Sequence, residues 1–135
     1  MSIEWQLKQH LAAEKRVEAC EDNIDRLEAR LVYARQLATD EERISGSTDV
    51  HMLESVIADY DEALSEYRDA VAYYKSCKLD LLDLSQRVKD GKAAAVILRY
   101  YGLGESWVSI GEAIGKTDKT VKQLHDKAIL ELSRG

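Results

Sequence analysis

Apolar residues recur at steps of three and four along most of this chain, and that period predicts helices almost throughout. Residues 3–38 read as one long helix. Val17, Cys20, Ile24, Leu27, Leu31, Ala34 and Ala38 form a heptad seam along it. Extended backward, the same register meets Gln6, His10 and Ala13, so Ile3, Trp5, Leu7 and Leu11 are expected to make a face of their own there. Residues 39–49 break the pattern. Asp40-Glu41-Glu42-Arg43 is polar, and Ser45-Gly46-Ser47-Thr48-Asp49 has turn and cap chemistry. The spacing resumes with Val50, Leu53, Ile57, Tyr60, Leu64, Tyr67, Val71 and Tyr74. Beyond Tyr74 the register meets Lys78, Leu81, Ser85 and Val88 and weakens or changes face, with Leu79, Leu82 and Leu84 available. Each helix would run about 50 Å at ~1.5 Å per residue. Two such helices with a short joint fold back most simply as an antiparallel hairpin.

The last third has a different texture. Asp90-Gly91 is a joint, and residues 92–101 form a third helix with Ala94, Ile97, Leu98 and Tyr101 facing inward. Gly102 and Gly104 end it. Ile110 and Ile114 then lie four apart on a short helix that Ser106 caps. Gly111 sits where a side chain would block a close crossing of a second helix. Gly115 supplies the positive φ that turns the chain, and Thr117 caps the final helix. Val121, Leu124, Ala128 and Leu132 form one apolar stripe, opposite Asp118, Lys119, Lys122, Gln123 and Asp126. The expected class is all-α. A long, coiled-coil-like antiparallel hairpin over 1–89 precedes a three-helix, helix-turn-helix domain over 90–135.

A short helix, a glycine turn and a second helix with a polar outer face suit reading of the DNA major groove. The stretch also resembles the fourth conserved region of bacterial sigma factors. The resemblance rests on Leu98-Arg99-Tyr100-Tyr101-Gly102, Ser106-Trp107, Ile110-Gly111, Ile114-Gly115, Thr117, Thr120-Val121, Leu124-His125 and Ala128-Ile129. The tyrosine pair, the Ser-Trp start and the Leu-His pair are more similar to the small phage late-transcription regulators of the ArpU and RinA kind. Ser109 stands where such families often place an acid, which removes the capping box. Asp118 stands where sigma factors tend to have a base, so no base preference carries over.

The resemblance implies a non-enzymatic, sequence-specific transcription regulator, a late-gene activator of a phage or prophage in a bacterial cytoplasm. Its partners would be double-stranded DNA and RNA polymerase, with homo-oligomerisation through the N-terminal helices. The DNA-contacting residues expected are Thr117, Asp118, Lys119, Thr120, Lys122 and Gln123. Gln123 can pair with adenine and the lysines can reach guanine or phosphate. Thr117 and Thr120, near a helix N-terminus, can donate to phosphate oxygens. Two other readings stay open: a phage DNA-packaging recognition subunit, and a helical protein-interaction adaptor whose acidic coil is the working surface.

Charge complicates the DNA reading. The 135 residues carry a net charge of −6. Residues 1–89 hold 12 basic and 19 acidic side chains, a net −7, whereas residues 90–135 hold 7 and 6, a net +1. The acid lies outside the proposed reader, but a near-neutral module makes few phosphate contacts and binds non-specific DNA weakly. Zero proline agrees with long unbroken helices. No run of eighteen apolar residues suggests a membrane span, and Met1-Ser2-Ile3-Glu4-Trp5 lacks signal-peptide character.

Other chemistry finds little support. Gly111 to Thr117 contains Gly115-Lys116-Thr117, but the phosphate-loop spacing is one residue short and no strand precedes it. His10, His51 and His125 share no ligand spacing with one another or with Cys20 and Cys77, so no metal or cofactor is expected. The thiols read as buried and reduced. The acidic groups Glu41-Glu42 and Asp59, Asp61 and Glu62 read as a solvated surface rather than paired catalytic carboxylates. Tyr60, Tyr67 and Tyr74 read as seam residues whose hydroxyls need outlets.

Overall fold

A computed structural model describes the backbone of residues 2–41 and 47–135 and the side chains of residues 2–37 and 51–135. The described chain is all-helical: α1 (Ile3–Glu41), α2 (Ser47–Gln86), α3 (Gly91–Ile97), α4 (Trp107–Ile114) and α5 (Asp118–Arg134). A five-residue π turn, Leu98–Gly102, continues α3. The expected break over 39–49 narrows, because α1 runs to Glu41 and α2 starts at Ser47. Residues 42–46, and the side chains of Ala38, Val50 and the Glu41-Glu42 pair, lie outside the described residues. No described helix is long and apolar enough to cross a membrane.

The chain forms two compact units, Met1–Lys15 with Tyr73–Gly135, and Arg16–Ala72. The first therefore spans the joint expected at 89/90. The reason is a shared core: Leu7, Leu81, Leu84 and Val88 pack in one cluster with Ala93, Ile97, Tyr101, Ala128 and Leu132. Asp90 still marks a corner. Its carboxylate accepts from the Lys92 amide at 3.0 Å and caps α3. A second cluster joins Val96, Ile110 and Val121, with Tyr100, Trp107, Ile114 and Leu124 packed against it.

The N-terminal face differs from the expectation. Leu7, His10 and Ala13 are buried, and Trp5 is exposed. His10 belongs there because its Nδ1–H donates to the Tyr101 carbonyl at 3.2 Å, satisfying an oxygen at the end of a helix. Its ring also tilts against Tyr74, with centroids 5.1 Å apart. Past Tyr74 the buried residues are Cys77, Leu81, Leu84, Ser85 and Val88, while Leu79 points to solvent.

In the Arg16–Ala72 unit, Tyr60 donates to Glu28 at 3.0 Å and Tyr67 to Glu21 at 3.4 Å. Partner numbers fall by seven as the tyrosines rise by seven. Burial corrects the expected register of α2. The buried positions are Val56, Ala63 and Ala70, one residue before the expected Ile57, Leu64 and Val71. Ile57 keeps 39% of its surface exposed. The long tyrosines beside these buried alanines reach carboxylates of α1. On α1, Leu27 and Ala34 are buried, and Val17, Cys20, Ile24 and Leu31 are half-buried.

Candidate nucleic-acid interface

The C-terminal helices are punctuated by three local devices. Ser106 accepts from the Ser109 amide at 3.1 Å and caps α4. Gly115 closes α4 with φ 72°, a left-handed conformation that costs a side-chain-bearing residue roughly 1–2 kcal/mol. Thr117 accepts from the Thr120 amide at 3.2 Å and caps α5, while its hydroxyl donates to the Thr120 hydroxyl at 3.0 Å. Gly111 is needed for a different reason from the one expected. A Cβ there would meet the Lys116 carbonyl oxygen at 2.5 Å, so the linker between helices, not the helix crossing, excludes it. The Lys116 amide donates to the Gly111 carbonyl at 2.9 Å in the same close approach.

These devices hand α5 a fixed rotation. Val121, His125, Ala128 and Leu132 are buried, with Leu124 half-buried beside them. Asp118, Lys119, Lys122, Gln123 and Asp126 are exposed, Thr117 is exposed and Thr120 half-buried. The expected contact residues thus gather along the first two turns of one helix. The side chains of Lys119, Lys122 and Gln123 make no hydrogen bond or ion pair with any described residue. Asp118 sits in the first turn, where a negative charge favours the positive end of the helix dipole. Lys116, Thr117 and Asp118 also line an open groove of about 500 Å³ with Val108, Gly111, Glu112 and Gly115. Lys116 was not among the expected contacts, because it lies before the cap rather than on the helix.

An aromatic cluster of buried Tyr101 and His125 with half-buried Tyr100 and Trp107 packs on the inner side of α5. Trp107 stacks on Tyr100 with ring centroids 4.0 Å apart and an interplanar angle of 6°. His125 meets Trp107 edge-on at 5.0 Å. His125 lies 2.9 Å from Asp126 Oδ1 through Nδ1 and 2.6 Å from the Tyr101 hydroxyl through Nε2. With Nδ1–H donating to the carboxylate, Nε2 is left to accept from the phenol. Burial, reinforced by the Glu4, Tyr100 and Asp126 charges, pushes the Tyr101 phenol well above its ordinary pKa, so it stays a donor. Trp107 shares its cluster with Val121, whereas Leu98 packs against the other core.

Among the described residues, no group of three or more His, Cys, Asp or Glu could hold a metal ion. No protein-family model, curated protein or solved structure matches the chain.

Proposed function

We propose that this protein is a sequence-specific DNA-binding transcription regulator, whose α4–turn–α5 segment is a helix-turn-helix and whose α5 is the recognition helix. One observation carries the reading. The first two turns of α5 present Lys119, Lys122 and Gln123 to solvent without partners among the described residues, while the opposite side of the same helix is anchored. Lysines left unpaired beside a capped helix N-terminus suit phosphate, and a neighbouring exposed carboxamide suits an adenine edge. Thr117 is committed to its cap, so its part is to orient the amides of the first turn rather than to seek bases. Asp118 either accepts from a cytosine amino group or favours the helix end.

The sigma-like pattern of the last third supports a role in transcription, that of a phage or prophage late-gene activator acting on the host RNA polymerase. α1 and α2 form an antiparallel hairpin in this reading and serve self-association. A near-neutral reader makes few phosphate contacts, and two linked copies would restore affinity through effective concentration. The test is selection of the full chain against a randomised DNA duplex pool at moderate salt. Enrichment of a defined motif is expected. Recovery of an unchanged pool would contradict sequence-specific binding and put the adaptor reading first.

A further inference from the structure

α2 carries a second stripe beside the buried one. Glu54, Ile57, Asp61, Leu64, Arg68, Val71 and Lys75 recur at alternating steps of three and four, one step around the helix from Val56, Ala63 and Ala70. A two-helix pair needs only one apolar seam. The row Ile57, Leu64 and Val71 makes the apolar face of α2 wider than that, the width found in helices buried against more than one neighbour. Leu64 and Val71 are only half-buried, and Ile57 is more open still.

The order of charges along this stripe says what covers it. Ile57 and Val71 lie seven residues either side of Leu64. Asp61 and Arg68 flank Leu64 at three and four residues, and Glu54 and Lys75 extend the sequence pattern with acid before it and base after it. A two-fold axis through Leu64 would set Leu64 on its own copy and Ile57 on Val71 of the copy. The same axis brings Asp61 within one residue of the copy's Arg68, and Glu54 within one residue of its Lys75, each twice. A parallel copy would instead set acid against acid and base against base. The stripe is therefore complementary to itself in one direction only, as an isologous interface must be.

We infer that a second copy of this chain docks antiparallel on α2 along Ile57, Leu64 and Val71, with Asp61 and Arg68 fixing the direction. The inference deepens the self-association part of the proposed function and does not depend on DNA. The stripe runs about 30 Å and is one helix wide, less than the roughly 800 Å² per partner of a standard interface. The dimer is accordingly weak, with a dissociation constant on the order of micromolar, and charge contributes visibly to it.

The experiment is sedimentation equilibrium of the full chain without DNA, up to about 100-fold above a micromolar dissociation constant. The variants are Asp61→Lys, Arg68→Glu and the two combined, all at exposed positions, with far-UV circular dichroism to check folding. Wild type should dimerise, each single reversal should weaken the dimer about tenfold, and the double reversal should restore it. The restoration separates a specific antiparallel contact from general repulsion. A monomeric wild type, or a double variant as weak as the singles, would overturn the inference. DNA binding by a monomeric wild type would leave the DNA reading standing while this one falls.

Discussion

The unit built from Met1–Lys15 and Tyr73–Gly135 and the unit Arg16–Ala72 use the same element, the helix, to different ends. The first buries large side chains completely, among them Leu7, Val96, Ile97, Tyr101, Ile110 and Val121. The second buries Leu27 and Val56, but otherwise only the alanines Ala34, Ala63 and Ala70 among its described residues. Its bulkier apolar groups, Ile24, Leu31, Leu64 and Val71, stay half-covered. Burial of apolar area is the main stabilising term, at roughly 25 cal/mol per Å². The first unit thus holds α5 in a core of large side chains, and the second buries mainly alanine and leaves apolar surface to spare. Under the proposed function, the first unit serves as the DNA reader and the second as a surface for self-association.

The contrast predicts opposite responses to changes of size. Tyr101→Ala removes a fully buried ring and its hydrogen bond to His125, and should cost about 3–5 kcal/mol, read from urea melts of the full chain. A loss below ~1 kcal/mol would mean the aromatic cluster holds nothing together. In the second unit enlargement should hurt more than truncation. Ala63→Leu should cost about 1–3 kcal/mol through overpacking, whereas Ile57→Ala, at an open position, should cost less in a monomer. Equal tolerance of both would contradict the burial of the alanine row on α2. Gly115→Ala, in the left-handed turn, should cost roughly 1–2 kcal/mol, and Thr117→Ala about 1 kcal/mol through the lost cap. Both are expected to lower DNA affinity by loosening the entry of α5.

Alkaline pH should also separate the units, by a smaller margin. The Tyr101 phenol is raised above its ordinary value, chiefly by burial. Its folded form therefore keeps a proton that the unfolded chain begins to lose near pH ~10. Stability is unaffected by this group below that point and falls as pH climbs beyond it. Hydrogen bonding to Glu28 raises Tyr60 too, but that residue is only half-buried, so its effect should be slight. Relative to wild type, Tyr101→Phe should flatten the loss of stability above pH ~10, and Tyr60→Phe should leave it nearly unchanged. Identical alkaline profiles for wild type and Tyr101→Phe would refute the assigned burial.

Local chemistry is the legible part of this sequence. Ser106, Gly115 and Thr117 act within a few residues of themselves, and the backbone at each does what its side chain favours. The stripe Val121, Leu124, Ala128 and Leu132 is readable because α5 has one strongly apolar side. Expectation and structure part where two segments must meet. The pattern centres the α2 stripe one residue late because alanine counts little as a hydrophobe, yet Ala63 and Ala70 are the residues that are buried. His10 interrupts the expected seam as a polar residue. Its partner is a carbonyl 91 residues away, which no local pattern announces. Gly111 is legible as necessary, but the obstacle is the Lys116 carbonyl, visible only once the turn is built. The wide apolar row at Ile57, Leu64 and Val71 is plain in the sequence, but it lies beside the inner face rather than on it.

The central claim, that the outer face of α5 binds DNA, is tested most directly by affinity titrations over a range of salt. The proteins are wild type, Lys122→Ala and Gln123→Ala, and the duplexes are a selected site and its scrambled counterpart. Lys122→Ala should weaken binding to both duplexes and reduce the salt slope by about one unit, because one phosphate contact and its released counterion are lost. Gln123→Ala should cost about 1–3 kcal/mol on the selected site and little on the scrambled one, with the salt slope unchanged. If both variants bind the selected duplex with wild-type affinity and slope, this face does not touch DNA.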